Sequence, residues 1–445
     1  MASAASLRSL LALPDFRRYY LGQSLSSFGD SLTPLALAFA VLEITGSPAA
    51  LGIVLLSSRL PVIFLALLGG AIGDRVSRRR IMLFTDVVRC AVQTTTAVLL
   101  VTGTAEIWML IALQLIAGGG SAFFNPAAQG LITSVVPKDR LAEANSAISV
   151  TKSTGQIVAL AASGTMVATI GTGYSLLVDA LTFAGSALLL WRLPKELASE
   201  ALARRTGVLK SIGEGLAVVR ERTWLWAWIV HVSLGNLIVI CPVMVLGPFI
   251  ADEHLGGAPA WAAIGICYAV GGLAGGVVAG RWKPSRPMVA AMVSFLAIVP
   301  FPALLALPGW VPFVAAAGFA AGLQQAVYVV LQTTALQQNV PAEVIARSSS
   351  VSMLGGLVAA PVGMALAGPA AAAFGARAVL VTGAVAAVVL SAAALLLPAV
   401  RQLRADEPEG GTESPSATGA DEPGTGQTAT GQTVTKRPDS VTEAG

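Results

Sequence analysis

Asp30 is the side chain in this sequence best placed to bind and release a proton. It lies about 12 residues into the apolar segment 17–42, or roughly 18 Å along a helix that rises 1.5 Å per residue. That depth is near the middle of a bilayer, where an ionised carboxylate is costly unless it is paired or hydrated. We therefore expect Asp30 to exchange a proton with water in a cavity.

Arg59 and Asn236 are expected at the same level as Asp30. Arg59 lies about 10 residues into the segment 49–72, which runs in the opposite direction, so the two charges share a height. Arg59 is then either a static counter-ion of Asp30 or the switch that releases its proton. Asn236 occupies the matching position in the second half of the chain, where an amide either lines the same cavity or packs between helices.

A charged turn separates two apolar segments. The run from Gly70 to Arg80 reads GAIGDRVSRRR, and a carboxylate there can cap a helix N-terminus and pair with arginine. Such contacts can latch one conformation, whereas the alternative is that the basic residues only mark one side of the membrane. In the next segment, Asp86 and Arg89 either pair with each other or join this group. The candidate latch consists of Gly70, Gly73, Asp74, Arg75, Arg78, Arg79 and Asp86.

Six further polar side chains fall inside apolar segments, where each either lines a cavity or bonds to a neighbouring helix. His231 could relay a proton, but a hydrogen-bonded histidine near the membrane interface is the simpler interpretation. Lys152 and Asp179 are buried charges whose estimated depths differ, so depth gives no reason to pair them. These lower-ranked cavity candidates are Gln114, Asn125, Lys152, Asp179, His231 and Gln332.

The elements that hold these side chains must be membrane-spanning helices. Hydrophobic residues make up 55% of the 445 residues and charged residues 12%, and the mean hydropathy is +0.75. Apolar runs of about 20 residues satisfy their backbone in lipid only as helices or a closed barrel, and continuous hydrophobicity selects helices. The three cysteines show no paired spacing, so we expect no disulfide, metal or cofactor.

Charged, Pro-rich and Gly-rich punctuation divides the chain into twelve spans. The first lacks a small-residue cleavage site, so we expect it to be retained. The expected spans are 17–42, 49–72, 81–102, 106–132, 142–169, 173–193, 224–250, 259–280, 287–307, 310–336, 346–369 and 376–400.

The distribution of basic residues predicts the orientation of these spans. An even number of spans puts both chain ends on one side of the membrane. Of the 28 Lys and Arg residues, 24 lie on that side, and only Arg377 lies on the other. The positive-inside rule therefore predicts cytoplasmic termini. It also accounts for the net charge of +4, so no nucleic-acid partner is expected.

The second half of the chain resembles a degenerate copy of the first. An offset of 204 to 206 residues lays Gly29 and Asp30 over Gly235 and Asn236, and several other matches follow in the same order. The fold expected is an all-α membrane protein with twelve transmembrane helices in two pseudo-symmetric six-helix bundles. The expected parts are an N-terminal bundle over 1–193, a cytoplasmic linker with an amphipathic helix over 194–223, a C-terminal bundle over 224–400 and a disordered tail over 401–445.

The run from Gly70 to Arg80 resembles the loop 2–3 signature of the major facilitator superfamily, with Ser77 where that pattern usually has glycine. The wider N-terminal half, from Phe16 to Ser146, is similar to the branch that includes macrolide and enterobactin exporters. The resemblance implies a transporter that works by alternating access, with the latch holding its outward-open state.

The function expected from these features is proton-coupled efflux of a lipophilic or amphipathic small molecule, such as a drug, antibiotic, siderophore or other natural product. Few charges in the spans favour such a cargo over a nucleotide or sugar phosphate. A lysophospholipid flippase and a solute importer of the same fold are the alternatives. We expect no enzyme, because the sequence shows no Ser–His arrangement, no HExxH motif and no pair of intramembrane carboxylates.

The expected setting is the inner or plasma membrane, crossed many times, with the lipid bilayer as a partner. The other partners are the small-molecule cargo and protons, and the chain is expected to be a monomer. A membrane sensor is disfavoured because the tail contains no recognisable output domain.

Overall fold

The chain is built almost wholly of long apolar helices in its computed structural model. Asp74 and Arg75 of the candidate latch, most of the predicted linker and most of the predicted tail lie outside the residues that the structure describes. The described ranges are 4–73, 77–194, 223–307, 309–339 and 359–403, of which 4–6 and 66–73 are described by their backbone alone.

Eleven helices in the described ranges are long and apolar enough to cross a membrane. A shorter apolar helix, Ala359–Phe374, covers the end of the predicted eleventh span, 346–369, whose residues 346–358 lie outside the described ranges, and it brings the number to twelve, as predicted. The first to tenth and the twelfth spans are Pro14–Thr45, Pro48–Gly73, Arg78–Val101, Ile107–Val135, Leu141–Ile170, Thr172–Trp191, Thr223–Leu255, Ala258–Arg281, Pro287–Leu305, Val311–Asn339 and Ala376–Leu396.

Local sequence sets where the first span begins and ends. Pro14 fits the first helical turn, where its missing N–H is not needed, and Asp15 lies where the helix dipole favours an acid. The span ends at Gly46, whose φ of 58° is a left-handed conformation that glycine adopts without strain. A turn this short makes the first and second spans antiparallel neighbours.

Corresponding spans pack together in each half of the chain. The second span lies against the fourth, and the third and first spans lie against the sixth. In the second half, the eighth span lies against the tenth, and the ninth and seventh lie against the twelfth. Gly118 lets the backbone of Ser58 approach the fourth span, and Gly322, 204 residues later, does the same for Tyr268. The two pseudo-symmetric six-helix bundles are therefore confirmed.

The two halves meet at the span ends opposite those at Pro14 and Leu396. Gly164 in the fifth span packs against Ala262 in the eighth. Gly52 in the second span is close enough to the eleventh that an added Cβ would lie 2.5 Å from the carbonyl oxygen of Met364. Leu35 and Phe39 join an apolar cluster with Ala262 and its neighbours. These contacts join the two halves at those span ends.

Candidate functional site

Asp30 forms an ion pair with Arg89 of the third span. Arg89 Nη1 donates to Asp30 Oδ2 at 3.3 Å, and Nη2 lies 3.3 Å from Oδ1. The arginine side chain is only 7% exposed, whereas that of Asp30 is 46% exposed. The pair therefore consists of an exposed carboxylate and a buried cation. The predicted pairing of Asp30 with Arg59 is wrong.

Aromatic rings and a hydroxyl fix the guanidinium of Arg89. Its Nη2 donates to Ser121 Oγ at 2.5 Å. Its Cζ lies 5.2 Å from the ring centre of Phe124 and 5.1 Å from that of Phe183, which is within the range of cation–π attraction. These contacts orient the guanidinium where it meets Asp30.

Arg59 faces a different part of the molecule. It is exposed, forms no ion pair or hydrogen bond within the described residues, and is in electrostatic range of Cys241 in the seventh span. Depth along a helix does not say which face of the helix carries a side chain. The sequence did carry a signal for Arg89, because its estimated depth differs from that of Asp30 by only about four residues, or roughly 6 Å.

Asp179 of the sixth span is fully buried beside the same turn of the first span. Its Oδ2 accepts a hydrogen bond from Gln93 Nε2 at 2.6 Å and another from the hydroxyl of Thr33. A Cβ on Gly29 would collide with the Asp179 carboxyl, so this glycine makes room for it. Sequence reasoning ranked Asp179 low because nothing in the pattern showed these neighbours.

Asp86 of the third span is also fully buried, and serine hydroxyls bind it. Ser186 donates to its Oδ2 at 2.5 Å and Ser26 to its Oδ1 at 3.3 Å. The predicted hydrogen-bonded pair with Arg89 is not formed, although Arg89 is within electrostatic range. Asp86 thus belongs to the interior of the first bundle.

Three carboxyls therefore gather around one guanidinium in the described part of the first bundle. Asp30 and Arg89 are within electrostatic range of both Asp86 and Asp179. The expectation that intramembrane carboxylates would not come together is wrong. It failed because residues far apart in sequence meet only when the first, third and sixth spans pack.

The described latch residues bind carbonyl groups within the first half. Arg78 Nη1 donates to the carbonyl of Gly130 at 2.7 Å. Arg79, which is buried, donates from Nε to Leu190 at 2.9 Å and from Nη2 to Trp191 at 2.5 Å. Cations at the carbonyl end of a helix are favourable, so Arg79 stabilises the end of the sixth span.

The remaining described latch residues, Gly70 and Gly73, lie in the last turns of the second span.

A small cavity in the second half lies beside a π-helical turn of the seventh span, Asn236–Ile240. Such turns widen the helix and often occur at functional sites. Asn236 Nδ2 donates to the carbonyl of Val232 at 3.0 Å, which leaves its amide oxygen available. The cavity of about 70 Å³ is lined by Val232, Gly235, Asn236, Ile240, Phe295, Gln325, Tyr328, Val329 and Gln332.

Aromatic side chains and hydrogen bonds build the wall of this cavity. His231 Nδ1 and the Tyr328 hydroxyl are 2.9 Å apart, and the His231 ring lies 4.7 Å from that of Phe295. Trp228 Nε1 donates to Gln332 Oε1 at 2.7 Å. The Nε2 of His231 has no hydrogen-bond partner within the described residues. His231 thus holds the Tyr328 side chain in position through this hydrogen bond. The sequence pattern does not predict this pairing.

The other three lower-ranked candidates do not join either group by hydrogen bonds. Gln114 is buried, and its Nε2 has no partner in the described part of the chain. Asn125 and Lys152 are exposed and form no hydrogen bond or ion pair there.

Known proteins place the chain among membrane transporters. The multidrug efflux pump Tap of Mycolicibacterium fortuitum is 28% identical over 359 residues, which cover 76% of this chain and 84% of that protein. Macrolide efflux protein A of Streptococcus pyogenes is 25% identical over 361 residues, which cover 79% and 88%.

Structural and family comparisons agree with these relatives. A crystal structure of a variant of the nucleoside transporter NupG has the same fold, with a TM-score of 0.72 at 13% identity over 86% of this chain and 99% of that one. The sequence profile of the Major Facilitator Superfamily matches residues 19–361. This chain therefore belongs to the Major Facilitator Superfamily, and it is a multi-pass membrane transporter rather than an enzyme.

Proposed function

We propose that this transporter exports a lipophilic or amphipathic small molecule in exchange for protons. One observation carries the proposal: Asp30, in the middle of the first span, is exposed yet paired with the buried cation Arg89. Protonation of Asp30 would remove the charge that Arg89 attracts and so weaken the pair. A group that changes its contacts with its proton state can couple a gradient to a change of conformation.

The second half supports the choice of cargo. Its cavity offers the rings of Phe295 and Tyr328 with the amides of Asn236, Gln325 and Gln332, and none of its lining side chains is charged. Rings and amides suit an apolar group that carries a few hydrogen-bonding atoms, and at about 70 Å³ the cavity fits part of such a cargo rather than the whole molecule. Two relatives are efflux proteins, one for macrolides and one for multiple drugs by name.

We further propose cytoplasmic termini in the plasma membrane, because 24 of the 28 basic residues lie on the side of the termini. With that orientation, the contacts between the halves close the outer side, which is expected of an inward-facing state. Asp74 and Arg75 are proposed as the latch; they shortly precede Arg78 and Arg79 in the sequence, which bind carbonyl groups of the first bundle. Each monomer is proposed to comprise bundles 1–193 and 224–400, the linker 194–223 and the tail 401–445.

The test is drug-dependent proton movement in inside-out membrane vesicles, with erythromycin and ethidium as probes. Wild-type protein should accumulate a probe when the lumen is acidified and should release protons from the lumen as the probe enters. Asp30→Asn should be present at normal levels but lose at least nine-tenths of gradient-driven accumulation. Arg59→Gln is the matched control, since Arg59 is exposed and unpaired within the described residues, and it should retain accumulation.

Unchanged accumulation by Asp30→Asn would remove this carboxyl from the mechanism. Gradient-driven flux of a probe in the opposite direction would identify an importer instead. Movement of labelled lysophospholipid without movement of either probe would identify a flippase.

A further inference from the structure

Three carboxyls of the first bundle lie within electrostatic range of a single cation, Arg89, in the part that the structure describes. Arg89 pairs with Asp30, which leaves Asp86 and Asp179 with neutral hydrogen-bond donors only. Both carboxyls are fully buried. A buried carboxylate without a cation is strongly disfavoured, so a bound proton is the less costly state for each.

Asp179 differs from Asp86 in its connection to Asp30. The Asp179 carboxyl rests on the backbone of Gly29, the residue before Asp30, and accepts a hydrogen bond from Thr33, one turn after Gly29. Thr33 is only partly buried, so its hydroxyl links the buried carboxyl to a more open surface. Asp86 is instead enclosed by Ser26 and Ser186, both of which are fully buried.

We propose that Asp179 is a second proton-binding carboxyl, which competes with Asp30 for the guanidinium of Arg89. When a proton binds to the carboxylate of Asp30, the ion pair breaks and Arg89 turns its charge toward Asp179. The carboxyl of Asp179 then gives up its proton through the Thr33 hydroxyl to water. One proton enters and one leaves, and the bundle keeps one ion pair throughout. This proposal rests on the proton coupling proposed above.

The charged groups that face Asp179 agree with this exchange. The first span contributes Asp30 and the third contributes Arg89, both within electrostatic range. Asp86, on the third span, lies within range of that same pair. The fifth span also packs on the sixth but supplies no charged group within range of Asp179 among the described residues.

The experiment compares Asp179→Asn with Asp86→Asn in proteoliposomes. Two fluxes of ethidium are measured: accumulation driven by a pH gradient, and exchange of labelled for unlabelled probe without a gradient. Asp179→Asn should keep exchange within twofold of wild type and lose at least nine-tenths of gradient-driven accumulation. Asp86→Asn, which mimics a carboxyl that stays protonated, should keep both fluxes. Full gradient-driven accumulation by Asp179→Asn would overturn the proposal.

Infrared difference spectroscopy tests, independently of transport, whether Asp179 binds and releases a proton. In Asp30→Asn protein, raising the pH should remove the carbonyl band of one protonated carboxyl, and that band should be missing in Asp30→Asn/Asp179→Asn. A band that persists in the double variant and disappears on adding Asp86→Asn would overturn the proposal. If Asp179→Asn does not fold, Thr33→Val is tested instead. After a step to higher pH, this variant should lose the carboxyl band at least ten times more slowly than protein with Thr33. An unchanged rate would count against the proposal.

The same measurements separate the two proposals. Wild-type protein that shows exchange but no response to a pH gradient would contradict proton-coupled export. The infrared band would still show whether Asp179 binds a proton.

Discussion

The two halves use matching positions for different chemistry. With an offset of 206 residues, Asp30 and Arg89 correspond to Asn236 and Phe295. With an offset of 204, Phe124 corresponds to Tyr328. Arg89 lies 5.2 Å from the Phe124 ring, and the rings of Phe295 and Tyr328 are 5.6 Å apart, so the contact is repeated while the cation becomes an aromatic ring.

The groups around the charged cluster are replaced in the same way. Five polar residues of this cluster correspond to residues of the second half that have no polar side chain. With the offset of 206, Ser26, Thr33, Asp86 and Gln93 correspond to Val232, Val239, Met292 and Val299, and with the offset of 204 Asp179 corresponds to Gly383.

The two halves therefore show that the same helical scaffold can hold either a network of charged and polar side chains or a set of apolar side chains. A buried charge is stable only if its neighbours pair with it or form hydrogen bonds with it. The polar residues of such a network are therefore kept together or replaced together. Under the proposed function, the first bundle would bind protons and the second would bind the cargo. Variants that disturb matching positions should therefore have different consequences in the two halves.

The largest difference is expected between Gly29→Ala and Gly235→Ala. At position 29 the new methyl group would collide with the buried carboxyl of Asp179, which would have to leave its hydrogen bonds. We therefore expect a loss of about 3 kcal/mol in stability, together with a loss of gradient-driven transport. At position 235 the nearest atom is Phe295 Cζ at 3.1 Å, which needs a small ring shift and about 1 kcal/mol. Melting temperatures in detergent provide the measurement.

Gly22→Ala is the control on the same helix as Gly29, because the nearest atom to its added Cβ is Ser186 Oγ at 3.4 Å, an ordinary contact. Equal melting temperatures for the Gly22 and Gly29 variants would show that the Asp179 carboxyl is not tightly held.

An intermediate effect is expected when Arg89 takes the residue of its counterpart. Arg89→Phe leaves Asp30 without a cation and should cost about 2 kcal/mol, together with gradient-driven transport. Adding Asp30→Asn removes the stranded carboxylate and should recover about 1 kcal/mol without restoring coupling. Chemical denaturation of the two single variants and the double variant measures the coupling energy. Strict additivity would mean that the ion pair contributes nothing to stability.

The smallest effect is expected from Tyr328→Phe in the second half. The change removes the hydrogen bond to His231 but keeps the ring, so the stability cost should be about 1 kcal/mol. The KM for ethidium should rise about threefold to tenfold, because the cavity loses a hydroxyl. The number of protons moved per probe molecule should not change. A changed proton ratio with an unchanged KM would contradict the assignment of this half to cargo.

Much of the fold could be predicted because bilayer thickness fixes the length of a span and needs no knowledge of its neighbours. The twelve spans and the repeat followed from apolar runs and from offsets such as that between Asp30 and Asn236. The site was predicted less well. Depth predicts Asp30 as a candidate, but depth alone also predicts Arg59 as its partner, whereas Asp30 pairs with Arg89. Tyr328 gave no signal, because a lone tyrosine in an apolar segment resembles any other core residue.

The sequence by itself determined that this chain crosses the membrane many times as two related sets of helices, since hydrophobicity and repeat spacing are properties of consecutive residues. Only the tertiary structure decided that Arg89 holds Asp30, that Asp179 lies against Gly29, and that a cavity opens beside Asn236. Those contacts join residues from different helices, and they depend on the rotation of each helix about its axis. That rotation is set by how whole surfaces pack, which no local pattern specifies.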